Sequence, residues 1–276
     1  MAERSQTAAA PRRSRYALRA LALGYVAILV ALPVAVVLWR AFDEGVGQFC
    51  AAISSEQAVQ AFRLTGLVAG VAVVINVLFG VGVALLLTRY RFAGKRLLNV
   101  VIDLPISVSP IVVGLALVLV YGPRNGWLGR PLADSGIEVI YAVPGMILAT
   151  VFVSLPLVLR EIVPVLQDEG MDAEHAARVL GASAVQRFVR ITLPTIRWAL
   201  AYGIVLSLAR SIGEFGAVQV VSGNVSGAGQ TQTATLLVNE RVQQLVPGAY
   251  QVSVVLIAVA VVAIVAVSLL RPKELP

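Results

Sequence analysis

Two residue types that build many catalytic and metal centres are almost missing. The chain has one cysteine, Cys50, and one histidine, His175. One cysteine forms no internal disulfide, and a single Cys and a single His far apart in sequence make a poor basis for a thiol or metal site. Cys50 reads as a small, semi-apolar loop residue. Charge is scarce too: 13% of residues are charged and 58% are hydrophobic. A soluble domain carries roughly 25% charged and about 45–50% apolar residues. Aromatics make up only 7% and do not alternate with the basic residues. The net charge of +7 therefore lacks the stacking pattern of a nucleic-acid binder. There is no GxxxxGK[ST] phosphate loop, because Gly94-Lys95 is followed by Arg96 with no glycine at the required upstream position. No serine or cysteine has a recognisable base. The chain is not expected to be an enzyme by itself, nor to bind a metal or a cofactor.

Long apolar runs fill the sequence instead, and they predict an all-α integral membrane protein. Residues 1–16 are small, polar and basic, and read as a disordered tail. The run 17–38 exceeds a signal-peptide core and is followed by Trp39-Arg40 rather than a small-residue cleavage site, so it is a first span. Further spans are expected at about 64–88, 100–121, 142–159, 198–221 and 252–270, with residues 272–276 as a tail. Each has roughly the 17–25 residues needed to cross a bilayer.

Local signals add detail. Ser54 with Gln57 resembles a capping box, marking a short helix before the second span. That span carries Gly66, Gly70, Gly80 and Gly82, which permit close helix approach, and Asn76, expected to hydrogen-bond a neighbouring helix. The third span opens with Asp103, Pro105, Ser107, Ser109 and Pro110. Prolines there break or kink a helix and free backbone groups, as at transporter sites; a purely structural kink is the alternative. The fourth span holds Pro144 and Pro156.

Orientation follows from the basic residues. With six spans the termini share a side. That side carries sixteen of the twenty-two Lys and Arg residues, and the opposite side five. The asymmetry puts both termini in the cytoplasm.

One polar stretch, 167–197, interrupts the apolar pattern on that same side. Asp172 is expected to cap a short helix running to Leu180, with Glu174 in its first turn and Gly181 closing it in a left-handed conformation. Ser183 with Gln186 forms a second capping box. The helix it starts presents Val185, Phe188, Val189 and Thr192 on one face and is limited by Pro194. Two short helices joined at Gly181 make a rigid knob. The small pair Ala176-Ala177 lets it seat closely in a partner. An ordinary cytoplasmic loop lying on the membrane is the alternative.

A second feature lies inside the fifth span. Arg210 and Glu214 are spaced i,i+4, so they can pair on one helix face. Ionisable residues in a span are costly and point to function, and a guanidinium suits an oxyanion. An ion pair that only holds helices together is the alternative. Arg210, Ser211 and Glu214, with Ser107 and Ser109, are the candidate translocation-pathway residues.

The polar stretch resembles the EAA loop of ABC-importer permeases. That motif has EAA, three residues, Gly, nine residues, Ile, one residue and Leu-Pro. Here Ala176-Ala177, Gly181-Ala182, Ile191 and Leu193-Pro194 keep that spacing. The motif's Glu position is filled by His175, with Glu174 one residue early, so either could take the Glu's part. IDLPISVSPIVVG (102–114), PGMILATVFVSLP (144–156) and ARSIGEFGAVQVVSG (209–223) resemble the oxyanion-importing branch of that family, and more narrowly the W-type subunits of its sulfate/thiosulfate members. The last loop departs from the pattern: Thr235-Leu236-Leu237 replaces Leu-Pro-Leu, and Asn239 stands where an acid is expected, beside Glu240.

The resemblance implies a type I ABC-importer permease fold and sulfate or thiosulfate transport. It implies ATP and Mg on separate ATPase subunits docked at the coupling loop, a second homologous T-type permease, an extracytoplasmic binding protein and a surrounding lipid membrane. Molybdate or phosphate is the rival substrate. A stand-alone secondary transporter is the rival class, and it leaves the polar stretch unexplained.

Overall fold

The computed structural model describes residues 12–225 and 231–270. The expected tail 272–276 and residues 1–11 lie outside them. Among the described residues five helices are long and apolar enough to cross a membrane, or six if a bent pair counts as one span.

α1 (Arg12–Val26) begins five residues ahead of the expected first span and runs through a π turn (Ala27–Ala31) into α2 (Leu32–Phe42). The π turn has a local cause. Pro33 carries no N–H, and the Leu32 N–H bonds Ala27 O, five residues back. Between Leu18 and Arg40 no described side chain is buried. The helix reaches the bundle only near Ala41, whose carbonyl accepts from Gln251 Nε2 at 3.2 Å. α3 (Val46–Ser54) follows, so the exposed Cys50 is helical rather than in a loop. α4 (Glu56–Arg89) is longer at both ends than the expected second span. It is capped by Ser55, not Ser54, because the Ser55 Oγ accepts the Ala58 N–H at 3.4 Å.

The expected third span is not one helix. α5 (Lys95–Ser107) and α6 (Pro110–Tyr121) meet at a bend of 114°. Pro110 opens α6, where a missing N–H costs nothing, and the residue before a proline is pushed out of the helical region. A short α7 (Gly129–Asp134) leads to α8 (Val143–Glu169), which carries Pro156 and Pro164 inside it.

After the polar stretch, described below, come α11 (Leu193–Ile212), α12 (Gly216–Ser222), α13 (Ala234–Gln243) and α14 (Ala249–Leu270). The expected fifth span, 198–221, is thus interrupted at Gly213–Phe215.

α4, α8 and α11 form the central bundle. Of the four α4 glycines only Gly80 sets a close approach, since a methyl there would lie 3.1 Å from Val158 Cγ1 while Gly66, Gly70 and Gly82 have nothing within 4 Å; on α11 a methyl at Gly203 would lie 3.0 Å from Val158 Cα. One apolar core, with Ile162, Leu166 and Ile196, lies towards the polar stretch. Another, with Met146, Val218 and Leu236, packs α6, α12 and α13 onto α8. Asn76 makes the interhelical hydrogen bond expected of it, donating to Ser154 Oγ at 2.7 Å.

Candidate functional site

The polar stretch begins in the last turn of α8 and folds as a short helix, a turn and the start of a long helix. α9 (Asp172–Val179) is not capped by Asp172; Met171 holds the cap position, with no side-chain cap, and its carbonyl accepts the His175 N–H at 2.9 Å. Asp172 and Glu174 sit in the first turn, where their charge still suits the helix dipole. Gly181 closes the helix at φ +85°, with the Ala182 N–H reaching Ala177 O at 2.9 Å and the Gly181 N–H reaching Arg178 O at 3.0 Å. Open space surrounds the position of its missing Cβ, so backbone angle alone requires glycine. Ser183 and Gln186 form the expected reciprocal box: Gln186 N–H to Ser183 Oγ, 3.3 Å, and Ser183 N–H to Gln186 Oε1, 2.8 Å.

Pro194 does not limit the second helix. α10 (Ala184–Arg187) passes through a π turn (Phe188–Thr192) directly into α11, giving one helical run of 29 residues, Ala184–Ile212. The device is the one seen at Pro33: the Leu193 N–H bonds Phe188 O, five residues back, and Pro194 needs no acceptor.

Glu174 is held inside the chain. Its Oε1 accepts from Arg89 Nε at 3.2 Å, Arg89 NH2 at 3.0 Å and Thr192 Oγ1 at 3.0 Å. Arg89 also donates to Leu166 O at 2.9 Å. One half-buried ion pair thus ties α4, α8, α9 and the π turn together. Sequence reasoning missed Arg89, which reads as one of several basic residues ending a span. His175 is exposed, as are Ala176 and Gly181, while Ala177, Ala182, Ile191 and Leu193 are half-buried and Pro194 is exposed. The expected face of the second helix divides. Thr192 is buried and Phe188 half-buried, whereas Val185 and Val189 face outward. With Val179 and Leu180, each 87% exposed, they leave an apolar surface on an otherwise polar element.

The second site lies at the break after α11. Arg210 NH1 sits 2.6 Å from Glu214 Oε2; the Glu214 side chain is 2% exposed and that of Arg210 37%. The other carboxylate oxygen accepts the Ala217 N–H at 2.9 Å, so Glu214 also steadies the start of α12. Its carbonyl accepts from Thr235 Oγ1 at 2.8 Å. α12 packs on α6. A methyl at Gly114 would lie 2.7 Å from Ala217 O, and one at Gly216 would lie 3.1 Å from Pro110 Cβ. The two interrupted helices therefore meet, as do their starts at Pro110 and Gly216.

Ser211 turns away from this pair into the bundle. Its Oγ donates to Ser154 Oγ at 3.3 Å, joining a buried set in which Asn76 Nδ2 also reaches Ser207 Oγ at 3.5 Å. Asn76 Oδ1 is buried with no hydrogen-bond partner among the described residues. Ser107 and Ser109 are exposed at the α5–α6 bend, and no described hydrogen bond joins them to Arg210 or Glu214.

In the last loop, Glu240 accepts from Gln232 Nε2 and from Gln244 Nε2, while Asn239 accepts from Gln243. Arg241 is buried beside them, and burial pulls its guanidinium below the usual arginine range against the opposing pull of Glu240. Among the described residues no three His, Cys, Asp or Glu side chains lie together as a metal group.

Residues 76–274 match the family described as "Binding-protein-dependent transport system inner membrane component". A sulfate transport system permease protein CysW of Synechococcus elongatus is 49% identical over 83% of this chain and 79% of that protein. A CysW of Synechocystis is 44% identical over 95% of this chain and 92% of that one. A chain of the crystal structure of a bacterial ABC transporter that imports the acidic polysaccharide alginate superposes with a TM-score of 0.74 at 18% identity, over 92% of both chains. The broken third and fifth spans, the two-helix knob and these matches agree: the chain belongs to the binding-protein-dependent inner membrane components, the multi-pass permease subunits of type I ABC importers.

Proposed function

We propose that this chain is the W-type permease of an ATP-driven sulfate or thiosulfate importer, working with a T-type permease, two ATPase subunits and an extracytoplasmic binding protein. ATP and Mg belong to the ATPases. In this reading both termini and the stretch 167–197 are cytoplasmic.

The observation that carries the coupling role is continuity. The second helix of the knob and the span bearing Arg210 are one helical run, so a push on the knob is delivered to the middle of the membrane. The knob is stiff for the reasons that make its sequence recognisable: a left-handed glycine closure, a capping box, and the Arg89–Glu174 pair behind it. Its apolar outer face, Val179, Leu180, Val185 and Val189, together with the small Ala176, suits a groove on an ATPase. Glu174 braces the element from inside, and His175 stands at the exposed position.

Arg210 supplies the positive charge for an oxyanion in the pathway, beside the meeting point of two broken helices. Glu214 holds that guanidinium and weakens its grip, so that the dianion is released. A bracing role is the second reading, favoured by one observation: Glu214 Oε1 accepts the Ala217 N–H, and Oε2, which takes no hydrogen bond among the described residues, is ion-paired with Arg210.

The deciding experiment is reconstitution with the partner ATPase, T-type permease and binding protein. ATP-dependent uptake of radiolabelled sulfate, exceeding that of molybdate, supports the proposal. Uptake without the ATPase, or preference for molybdate, rejects it.

A further inference from the structure

Beside the docking face lies a cleft that shares Glu174, His175 and Val185 with the coupling element but has basic groups to which the coupling role gives no task. It has a volume of about 500 Å³ and opens between the end of α4, the inner face of α9 and the start of the second knob helix. Leu85, Met171 and Phe188 give it apolar walls. Its charge is one-sided: Arg89, Arg178 and Arg187, with His175, face a single carboxylate, Glu174.

That carboxylate is already engaged, its Oε1 taking three hydrogen bonds from Arg89 and Thr192. Arg89 is only 10% exposed and still has N–H groups to spare. Arg187 spends one N–H on the Ala182 carbonyl at 2.9 Å. Among the described residues no acidic side chain pairs with Arg178 or Arg187. Positions 171, 174, 175 and 178 recur at helical spacing, which turns His175 and Arg178 to the cleft together. Guanidiniums offering paired N–H groups around a partly apolar hollow match a tetrahedral oxyanion and repel cations.

The geometry points to a second anion site in this cleft, separate from the Arg210 region and specific for a phosphate- or sulfate-type oxyanion. Two sources offer that chemistry: the headgroup of an anionic lipid, since basic hollows where spans leave the membrane bind such groups, or a free inorganic anion. Either one bridges α9 to α4 and to the second knob helix, fastening the docking helix to the bundle.

The test uses the whole complex of permeases and ATPases, with Arg210 either intact or replaced by Ala. The pathway reading can then fail without touching this one. In the first arm, complex taken from membranes containing phosphatidylglycerol is examined by native mass spectrometry for retained lipid. In the second, complex in pure phosphatidylcholine nanodiscs is melted with increasing potassium phosphate, against potassium chloride at matched ionic strength.

Arg178→Gln and Arg187→Gln are the variants, since neither residue belongs to the docking face. Retained phosphatidylglycerol, lost in the variants, identifies the lipid source. A phosphate-specific rise in melting temperature, with apparent affinity weakened about tenfold by either variant (about 1.4 kcal/mol), identifies the free anion. Blank results in both arms, or results unchanged by both variants, overturn the site. Loss of the ATPase subunits on Arg178→Gln also overturns it, because the cleft would then be a protein contact.

Discussion

The Glu174 carboxylate is gripped by Arg89, eighty-five positions earlier in the chain, through two hydrogen bonds of 3.2 and 3.0 Å to a single oxygen. Both side chains are largely shielded, at 10% and 17% exposure. The pair joins the end of the second span to the element proposed to meet the ATPase.

Removing either partner leaves a shielded charge behind. Glu174→Ala and Arg89→Ala should each lower the permease's melting temperature, each losing hydrogen bonds to a charged group worth about 1.5–3 kcal/mol. They should also lower ATP-driven uptake while the complex still assembles. The double variant should cost less than the sum of the singles. Additive losses in the cycle would mean the two side chains do not act as a pair.

His175 is exposed where the motif has its glutamate. His175→Glu should keep uptake, because the position is exposed, the motif itself has a glutamate there, and the Glu174 brace stays intact. Uptake assays on that variant, beside Glu174→Ala, separate the two residues; a dead His175→Glu with an active Glu174→Ala would reverse their roles.

Val179 and Leu180 project from the knob, each 87% exposed among the described residues. Val179→Asp and Leu180→Asp should leave the permease folded, since both are on the surface, yet strip the ATPase from it. Co-purification of the ATPase with tagged permease measures this. Full recovery with either variant would move the docking face elsewhere.

Arg210→Ala should abolish sulfate uptake with the complex intact. Arg210→Lys should restore little, because a point charge does not reproduce the guanidinium fork. Normal transport by Arg210→Ala would leave the pair a structural brace only.

Gly114 lies under the backbone of α12. Gly114→Ala would put a methyl 2.7 Å from a carbonyl oxygen that cannot move aside cheaply. The expected cost is about 1–3 kcal/mol, read as a lower melting temperature. Gly66→Ala, with nothing within 4 Å of the added methyl, is the control and should leave the melting temperature unchanged or raise it slightly.

Much of this was readable because short-range rules governed it. Run length gave the spans. Ser183 with Gln186, and the left-handed turn at Gly181, are local backbone chemistry and appeared as expected. Three features escaped for want of long-range information. The Arg89–Glu174 pair depends on how α4 and α9 meet. Asp172 resembled a cap because nothing local shows that the helix starts at Asp172 itself, one residue earlier than a cap there would require. Pro194 resembled a stop because the rule against proline in helices has an exit: one π turn removes the need for its N–H. At Pro110 the expected break is present, and its angle of 114° depends on how α6 packs on α12. At Gly213 a helix break was hidden inside a run of apolar residues. Of the pathway residues, Ser211 went inward to Ser154, a choice fixed by the facing helix.

The unbroken run from Ala184 to Ile212 makes the knob and Arg210 two ends of one stiff arm. At 1.5 Å per residue they are roughly 40 Å apart. An arm of that length acts as a crank: tipping it by about 5° swings the far end by about 3 Å, the length of a hydrogen bond. If the knob docks on the ATPase as proposed, a tilt of that size moves the Arg210 guanidinium by about one hydrogen-bond length.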